Sequence, residues 1–512
     1  MPYDFSRRQL LEMVSGALLV AGCGEPDPTA PPPDAGPPGP PSFQHGVASG
    51  DPLPTAVILW TRVTPGGGNR PARFDVRWTV ASDAQFTAVI STGMFSTDAA
   101  RDWTVKVDAT GLSAGAAYYY RFECEGVVSP TGRTRTAPVG GVARLRFAAC
   151  TCSNYAAGYF HAYRAMAERD DLDAVIHLGD YIYEYPDGYY GNTRRYEPPH
   201  ELVTLTDYRM RYAQAHRDPD LQAVHARHPF IAVWDDHELA NNAWRDGAEE
   251  HMPALDGPWP ARRQAASQAY REWIPIREQP DGRIFRALSF GDLAHLMMLD
   301  TRVWGRDMQP ATRAASEDPR RQLLGADQER WLFEQVGTTR APWKVLGQQV
   351  ILGQFRGFGF DYLDTWEGYP AARERLFNAI RTMGVSDVVV LTGDIHSSFA
   401  MDLTSDPTNP SLYDPATGRG SVAVEFVTPA VSSPALGFVA AADPVLLRAA
   451  MPHMKYFNPL PNGYVLVELT PERATGTYVY VTDVHNPTAG PAAESASLYT
   501  ARGDNHLTRL RG

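Results

Sequence analysis

From about Phe43 to Ala137, apolar and polar residues alternate in short runs: AVILWTRV (56–63), FDVRWTVAS (74–82), WTVKVDATGL (103–112) and AYYYRFECEG (117–126). Alternation with period two, broken by Gly, Pro, Asn or Asp, predicts strands joined by turns. Residues 43–138 therefore read as a small all-β, fibronectin- or immunoglobulin-like antiparallel sandwich without helix. Past Arg144 the texture changes. RLRFAAC (144–150), 173–178, 229–234, 293–300, 343–348, 386–392 and 421–427 read as strands, while 157–169, 206–217, 261–273, 326–336 and 371–383 read as amphipathic helices. Strands interleaved with helices predict an α/β domain of mixed sheets flanked by helices, expected over 144–485. The insertions 184–228 and 243–283 exceed what packing requires and are expected to wall a site. Residues 486–512 read as a polar tail without an assigned role, and the RGD at 502–504 as a chance tripeptide.

The chain start reads as an address. Ser6, Arg7, Arg8, Gln9 and Leu10 precede an apolar stretch, Met13 to Gly22, far shorter than the roughly 20 residues of a spanning helix. This resembles a twin-arginine export signal. Leu19-Val20-Ala21-Gly22-Cys23 resembles a lipobox that would make Cys23 an acylated first residue, the alternative being an ordinary signal peptide with an incidental cysteine. The expected location is periplasmic or cell-surface, with membrane contact through that anchor, or secreted. Residues 24–42 hold nine prolines and read as an extended spacer.

At 512 residues and 44% hydrophobic content the chain can bury more than one core. A net charge of −12 argues against nucleic acid as a partner, because that contact is driven by neutralising phosphates. Four cysteines (Cys23, Cys124, Cys150, Cys152) are too few for a disulfide framework, and Cys124 within a strand reads as a small buried apolar residue.

The chemistry gathers where strands end. FAACTC (147–152), HLGDYIY (177–183), AVWDDHE (232–238) and VVLTGDIH (389–396) each finish an apolar run with metal-binding side chains. In α/β sheets, ligands collect beyond the carboxyl ends of strands, so four such segments can converge where no single loop supplies enough donors. Cys150 or Cys152 could give a thiolate, with Cys150 favoured for following the strand directly. Asp180 and Tyr183 offer a carboxylate able to bridge cations and a phenolate suited to Fe(III). Adjacent Asp235 and Asp236 repel unless a cation or arginine separates them. Asp236 is the expected ligand, Asp235 a candidate helix cap, and His237 the group beside the substrate. Asp394 and His396 again place a carboxylate and an imidazole after a strand.

The order Cys150, Gly179-Asp180-x-x-Tyr183, Asp235-Asp236-His237-Glu238, Gly393-Asp394-x-His396 resembles the alkaline phosphatase D (PhoD) family, relatives of purple acid phosphatases in the calcineurin-like metallophosphoesterase superfamily. HGVASGDP (45–52), ILWTRV (58–63), RDPDLQ (217–222), LDTR (299–302) and WKVLGQQ (343–349) extend the likeness over about 43–485. The resemblance implies the metallophosphoesterase-type α/β sandwich and one Fe(III) held by Cys150, Asp180, Tyr183 and His396. It also implies two Ca(II) ions using Asp180 as bridge, Asp236, Asp394 and Asn242. Carboxylates here stand where the wider superfamily has asparagine and histidine, which favours calcium at the second position.

The implied activity is hydrolysis of phosphate monoesters or diesters, small or polymeric, among them phospholipids or teichoic acid. Metal-activated hydroxide would attack phosphorus, His237 would donate to the leaving oxygen or a phosphoryl oxygen, and Arg302 would stabilise charge. A monomer is expected. A reading from another class is a surface-anchored polymer-binding protein with a structural metal centre.

Overall fold

A computed structural model of the protein describes residues 39–67, 72–356, 361–488 and 490–511. The export signal, Cys23 and nearly all of the proline-rich spacer lie outside the described residues.

Two large sheets face each other. The first has ten strands, in the order 508–511, 493–501, 473–480, 463–469, 145–150, 174–177, 230–232, 47–53, 56–62, 104–110. The second has seven: 286–290, 294–298, 343–348, 388–392, 423–427, 398–403, 454–458. Residues along one strand separate the layers by period-two geometry. Val389 and Leu391 pack between the sheets, whereas Val388 and Val390 face the helices Ala326–Thr338 and Pro370–Thr382. Across the inter-sheet layer the Phe147 and Phe290 rings meet edge-on at 5.0 Å, and the Tyr478 hydroxyl donates to the Phe399 carbonyl. Helices His161–Ala167, Leu205–His216, Pro219–Arg227 and Trp259–Trp273 pack on the ten-stranded sheet.

The helix Pro219–Arg227 went unpredicted, although RDPDLQ contains its start. Asp218 accepts from the N–H groups of Asp220 and Leu221, with Pro219 in the first turn. A capping carboxylate ahead of proline satisfies donors that an α-helix leaves open at its beginning.

The parallel strands Leu145–Cys150, Ala174–His177 and Phe230–Ala232 lie side by side in register, so their turns emerge at one edge. The parallel pair 343–348 and 388–392 ends at the corresponding edge of the seven-stranded sheet.

The β-rich N-terminal region is all-β apart from one 3₁₀ turn, Ala99–Arg101, and shares a sheet with the α/β part. Strand Ala56–Arg62 is buried throughout because it serves two cores. Val57 and Leu59 enter the core of the small sandwich, while Trp60 packs on His216 and Trp273. The junction also carries charge. Asp51, 1% exposed and left-handed at φ 43°, accepts from Arg286 Nε at 2.7 Å and from the Arg277 N–H at 2.6 Å. Arg286 in turn donates to the Ala232 carbonyl at 3.0 Å, just before the Asp235-Asp236 turn.

Residues 486–512 are more than a tail. Ala493–Ala501 pairs with Arg473–Tyr480, and Thr508–Arg511 pairs with Ala493–Ala501 in turn. The turn between them reaches the other sheet, where Asp387 accepts from the Gly503 N–H and Asp402 binds His506 Nδ1 at 2.6 Å. This closing strap was invisible in the polar composition of the segment.

Breaking a buried ion pair leaves an uncompensated charge. Asp51→Asn, which tolerates the left-handed backbone, is expected to cost about 3–5 kcal/mol, read as a lowered denaturation midpoint against the parent.

Candidate metal centre

Four turns build the site. Cys152 donates its N–H to the Gly179 carbonyl at 3.1 Å and Ser153 to the Asp180 carbonyl at 2.8 Å, zipping the first two turns together. Gly179 sits at φ 108°, where an added Cβ would lie 2.4 Å from the Asp235 nitrogen, so only glycine admits the third turn this closely. Cys152, Asp180, Asn242, Asp394 and His396 all adopt φ between 51° and 66°. Left-handed backbone costs a non-glycine residue about 1–2 kcal/mol, and its clustering at one place marks a functional site.

The described residues contain three groups whose ligand atoms lie within 4.8 Å of one another: Cys152, Asp180 and His396; Asp180, Asp236 and His237; Asp235, Asp236 and Asp394. Asp180 belongs to the first two and Asp236 to the last two, so each is placed to bridge. The preference for Cys150 over Cys152 is corrected by this geometry. Cys150 pairs with His177 inside the sheet, fully buried, while the strand ends and the turn carries Cys152 Sγ to 3.4 Å from Asp180 Oδ2. Burial first, and the Asp180 carboxylate next, raise the Cys152 thiol above its ordinary range, so a thiolate there requires a positive charge beside it.

Tyr183 Oη lies 3.0 Å from Asp180 Oδ2, 3.2 Å from His396 Nε2 and 2.7 Å from Ser433 Oγ. His396 Nδ1 meets the Pro434 carbonyl at 2.8 Å and the Tyr190 hydroxyl at 3.2 Å, which turns Nε2 inward. His237 stacks on Tyr183 with ring centroids 4.3 Å apart and bonds Glu184 Oε2 through Nδ1 at 2.7 Å. Burial opposes its charge, yet Glu184, Asp236 and Asp180 outweigh it and raise the imidazole well above its ordinary value.

Arg302 was expected to stabilise charge in the reaction, and the structure places it among carboxylates. It is wholly buried, with Nε on Asp235, Nη1 on Asp364 at 2.7 Å, and Nη2 on Asp394 at 2.6 Å and Asp236 at 3.3 Å. It is the counter-ion of a carboxylate cluster. Asp235 accordingly joins that cluster, and the expected helix cap is absent because 236–240 form turns and no helix follows it directly. Asn242 gives its backbone N–H to Asp236 Oδ2 at 2.6 Å and turns its side-chain amide to Glu249.

Glu238, Glu184, Asp364, Tyr190 and Ser433 went unassigned in the sequence. Glu238 is fully enclosed and accepts three backbone N–H groups, from Asp180 (3.0 Å), Tyr181 (2.8 Å) and Asp235 (2.8 Å). It stood in plain view beside His237, but its function depends on backbone 58 residues away.

The residues fit metal ions. Two carboxylate oxygens in this charged interior, Asp235 Oδ2 and Asp394 Oδ2, have no hydrogen-bond partner. A thiol, a phenol and an imidazole around one carboxylate suit a transition metal, and the all-carboxylate group suits a hard cation.

The family model described as PhoD-like phosphatase matches residues 147–478, and that of the PhoD-like phosphatase N-terminal domain matches 29–138. The chain is 37% identical over 484 residues to alkaline phosphatase D of Bacillus subtilis (strain 168), covering 89% of this chain and 80% of that protein. A solved structure titled "Structure of PhoD" superposes with a TM-score of 0.83 at 35% identity, covering 92% of both chains.

The two cysteines are separable. Cys152→Ala is expected to lose bound metal and turnover together, whereas Cys150→Ser keeps both, as measured by elemental analysis and ester hydrolysis. Groups that orient metal ligands are typically worth about 10–100-fold in metal affinity. Glu238→Gln should show a loss of that size in competition with a chelator.

Proposed function

The chain belongs to the PhoD-like phosphatase family, and we propose from that premise that it is an exported, metal-dependent enzyme. It is a phosphoric ester hydrolase. The export half of the proposal rests on Arg7, Arg8 and the short apolar stretch after them, with Cys23 as the residue a lipid would modify. The alternative of a polymer-binding protein with a structural metal centre is set aside, because the family is enzymatic.

The observation that carries the metal reading is the continuity of the donor set. Its three groups share Asp180 and Asp236, and His237 and Asp394, with side chains 10% and 9% exposed, form its most open side. A structural centre is closed, whereas a catalytic one keeps a position for the reactant.

In this reading Cys152, Asp180, Tyr183 and His396 would hold an iron ion, and Asp180, Asp236, Asp235 and Asp394 would hold calcium. Bound there, the cations would polarise phosphoryl oxygens and lower the pKa of water enough to make hydroxide at working pH. The remaining work falls to protein groups. Glu184 holds a proton on His237 Nδ1 and leaves Nε2 directed at the open side, placed to donate to the departing alkoxide. The Tyr183 and Tyr185 rings, 4.3 and 5.1 Å from His237, fix its orientation and exclude water from its flanks. Arg302 favours the ionised form of the carboxylates against burial and holds them in place without touching the ester. Esters with one or two substituents meet the same groups.

Chelation should abolish turnover of a chromogenic monoester and of the matching diester, and reloading with iron and calcium should restore it. Undiminished turnover by demonstrably metal-free protein would defeat the proposal. General acids contribute about 10²–10⁴-fold, so His237→Ala should lower kcat by that order on an alkyl ester. A nitrophenyl ester, whose leaving group needs no proton, should lose far less. Equal losses on both would remove the acid role.

A further inference from the structure

Tyr362 stands in the field of Asp394 and Asp236, at the carboxylate-only end of the centre, and is half-buried. Its backbone is pinned by the cluster itself. Asp364, two residues on, accepts from Arg302 Nη1 at 2.7 Å and from Gln309 Nε2 at 2.6 Å, and its carbonyl accepts from Arg306 Nη2 at 2.7 Å. Thr365 Oγ1 donates to the Tyr362 carbonyl at 3.2 Å. The ring is held by other rings. Phe355 meets it edge-on with centroids 6.2 Å apart, and Phe438 lies tilted against it at 5.3 Å. Phe438 follows Pro434, whose carbonyl orients His396, so the support on both sides traces back to donors of the centre.

The hydroxyl on this fixed ring is unspent. Tyr183 and Tyr190 give theirs to Asp180, Ser433 and His396, whereas that of Tyr362 makes no hydrogen bond among the described residues. The carboxylates around it do not take its proton. Asp364 is occupied by Arg302, Arg306 and Gln309, and Asp236 by the Asn242 N–H and Arg302. Asp394 Oδ2 has no partner at all, so the phenol and that oxygen do not meet. Burial first, then Asp394, Asp364 and Asp236 against the pull of Arg302, raise the phenol well above its ordinary value. It therefore stays protonated and remains a donor.

We propose that Tyr362 touches the substrate, its hydroxyl donating to a non-bridging phosphoryl oxygen of the bound ester. The inference rests on the phosphatase reading of the centre. A phosphoryl group brings anionic oxygens to the side where His237 and Asp394 leave the centre most open. A hydrogen bond to a charged acceptor is stronger than one between neutral groups, and a donor already fixed in place needs no reorganisation as charge shifts during the reaction. A neutral phenol also suits the surroundings. A cationic side chain here would be drawn onto Asp394, as Arg302 is, while a phenol keeps its proton for the ester. The labour divides accordingly: His237 serves the leaving alkoxide, and Tyr362 serves the part that monoesters and diesters share.

Tyr362→Phe keeps the ring and its packing and removes only the hydroxyl. In the full, metal-loaded chain it should retain the parental metal content and melting temperature. Its kcat/KM should fall about tenfold or more, by the same factor on an alkyl and on a nitrophenyl ester. Calorimetric titration with phenylphosphonate, which cannot be hydrolysed, should show binding weakened by a like factor. Parental kcat/KM and parental phosphonate affinity in the variant would overturn the inference while leaving the phosphatase reading intact. So would a loss confined to the alkyl ester, which would place the hydroxyl on the leaving group, or a loss that follows missing metal, which would make Tyr362 a ligand. A metal-loaded parent that turns over neither ester would overturn both readings together.

Discussion

Four aspartates crowd around one buried guanidinium, and the rest of the centre depends on that arrangement. Asp235 and Asp236 come from the ten-stranded sheet, and Asp364 and Asp394 from the seven-stranded side. Carboxylates this close repel, and the repulsion grows in an interior from which water is excluded. Arg302 offsets it from the middle and so ties the two sheets together at their functional edge. Its planar fork suits several carboxylates at once, which a lysine ammonium on a flexible stem would not. The charge it leaves uncompensated, including the free oxygens of Asp235 and Asp394, is what metal cations would complete.

A second set of constraints acts on the backbone. Glu238 gathers three N–H groups from two turns, and Glu184 holds both His237 and the Asn241 N–H. These bonds help hold left-handed residues that would otherwise relax. Support extends outward through Arg286, which links the Asp51 carboxylate of the small sandwich to the strand leading into Asp235. The N-terminal region is thus built into the scaffold of the centre, since three of its strands continue the central sheet.

Much of this was legible in one dimension. Helices 206–217, 261–273, 326–336 and 371–383 fall within a few residues of those observed, because each carries an apolar stripe that only a core can satisfy. Asp180, Tyr183, Asp236, Asp394 and His396 do come together, since each follows a strand whose carboxyl end faces the same edge. The strands 89–97 and 508–511, at sheet edges, and 493–501, next to one, were missed. They are half-exposed and polar, and their pairing is supplied by neighbours distant in sequence.

The chain alone determined that metal-binding side chains stand at strand ends, because local periodicity places both the strand and the residue after it. It did not determine which atoms meet. Cys150 and Cys152 are equivalent as sequence, and only the turn at Cys152, zipped to Gly179 and Asp180, sends one thiol to the carboxylate and leaves the other in the sheet. Arg302 likewise looked like a free cation until three-dimensional packing surrounded it with acids from three other segments. Periodicity is a property of neighbours along the backbone. The partners of a buried charge are selected by the approach of segments tens to hundreds of residues apart, and only the tertiary structure records that approach.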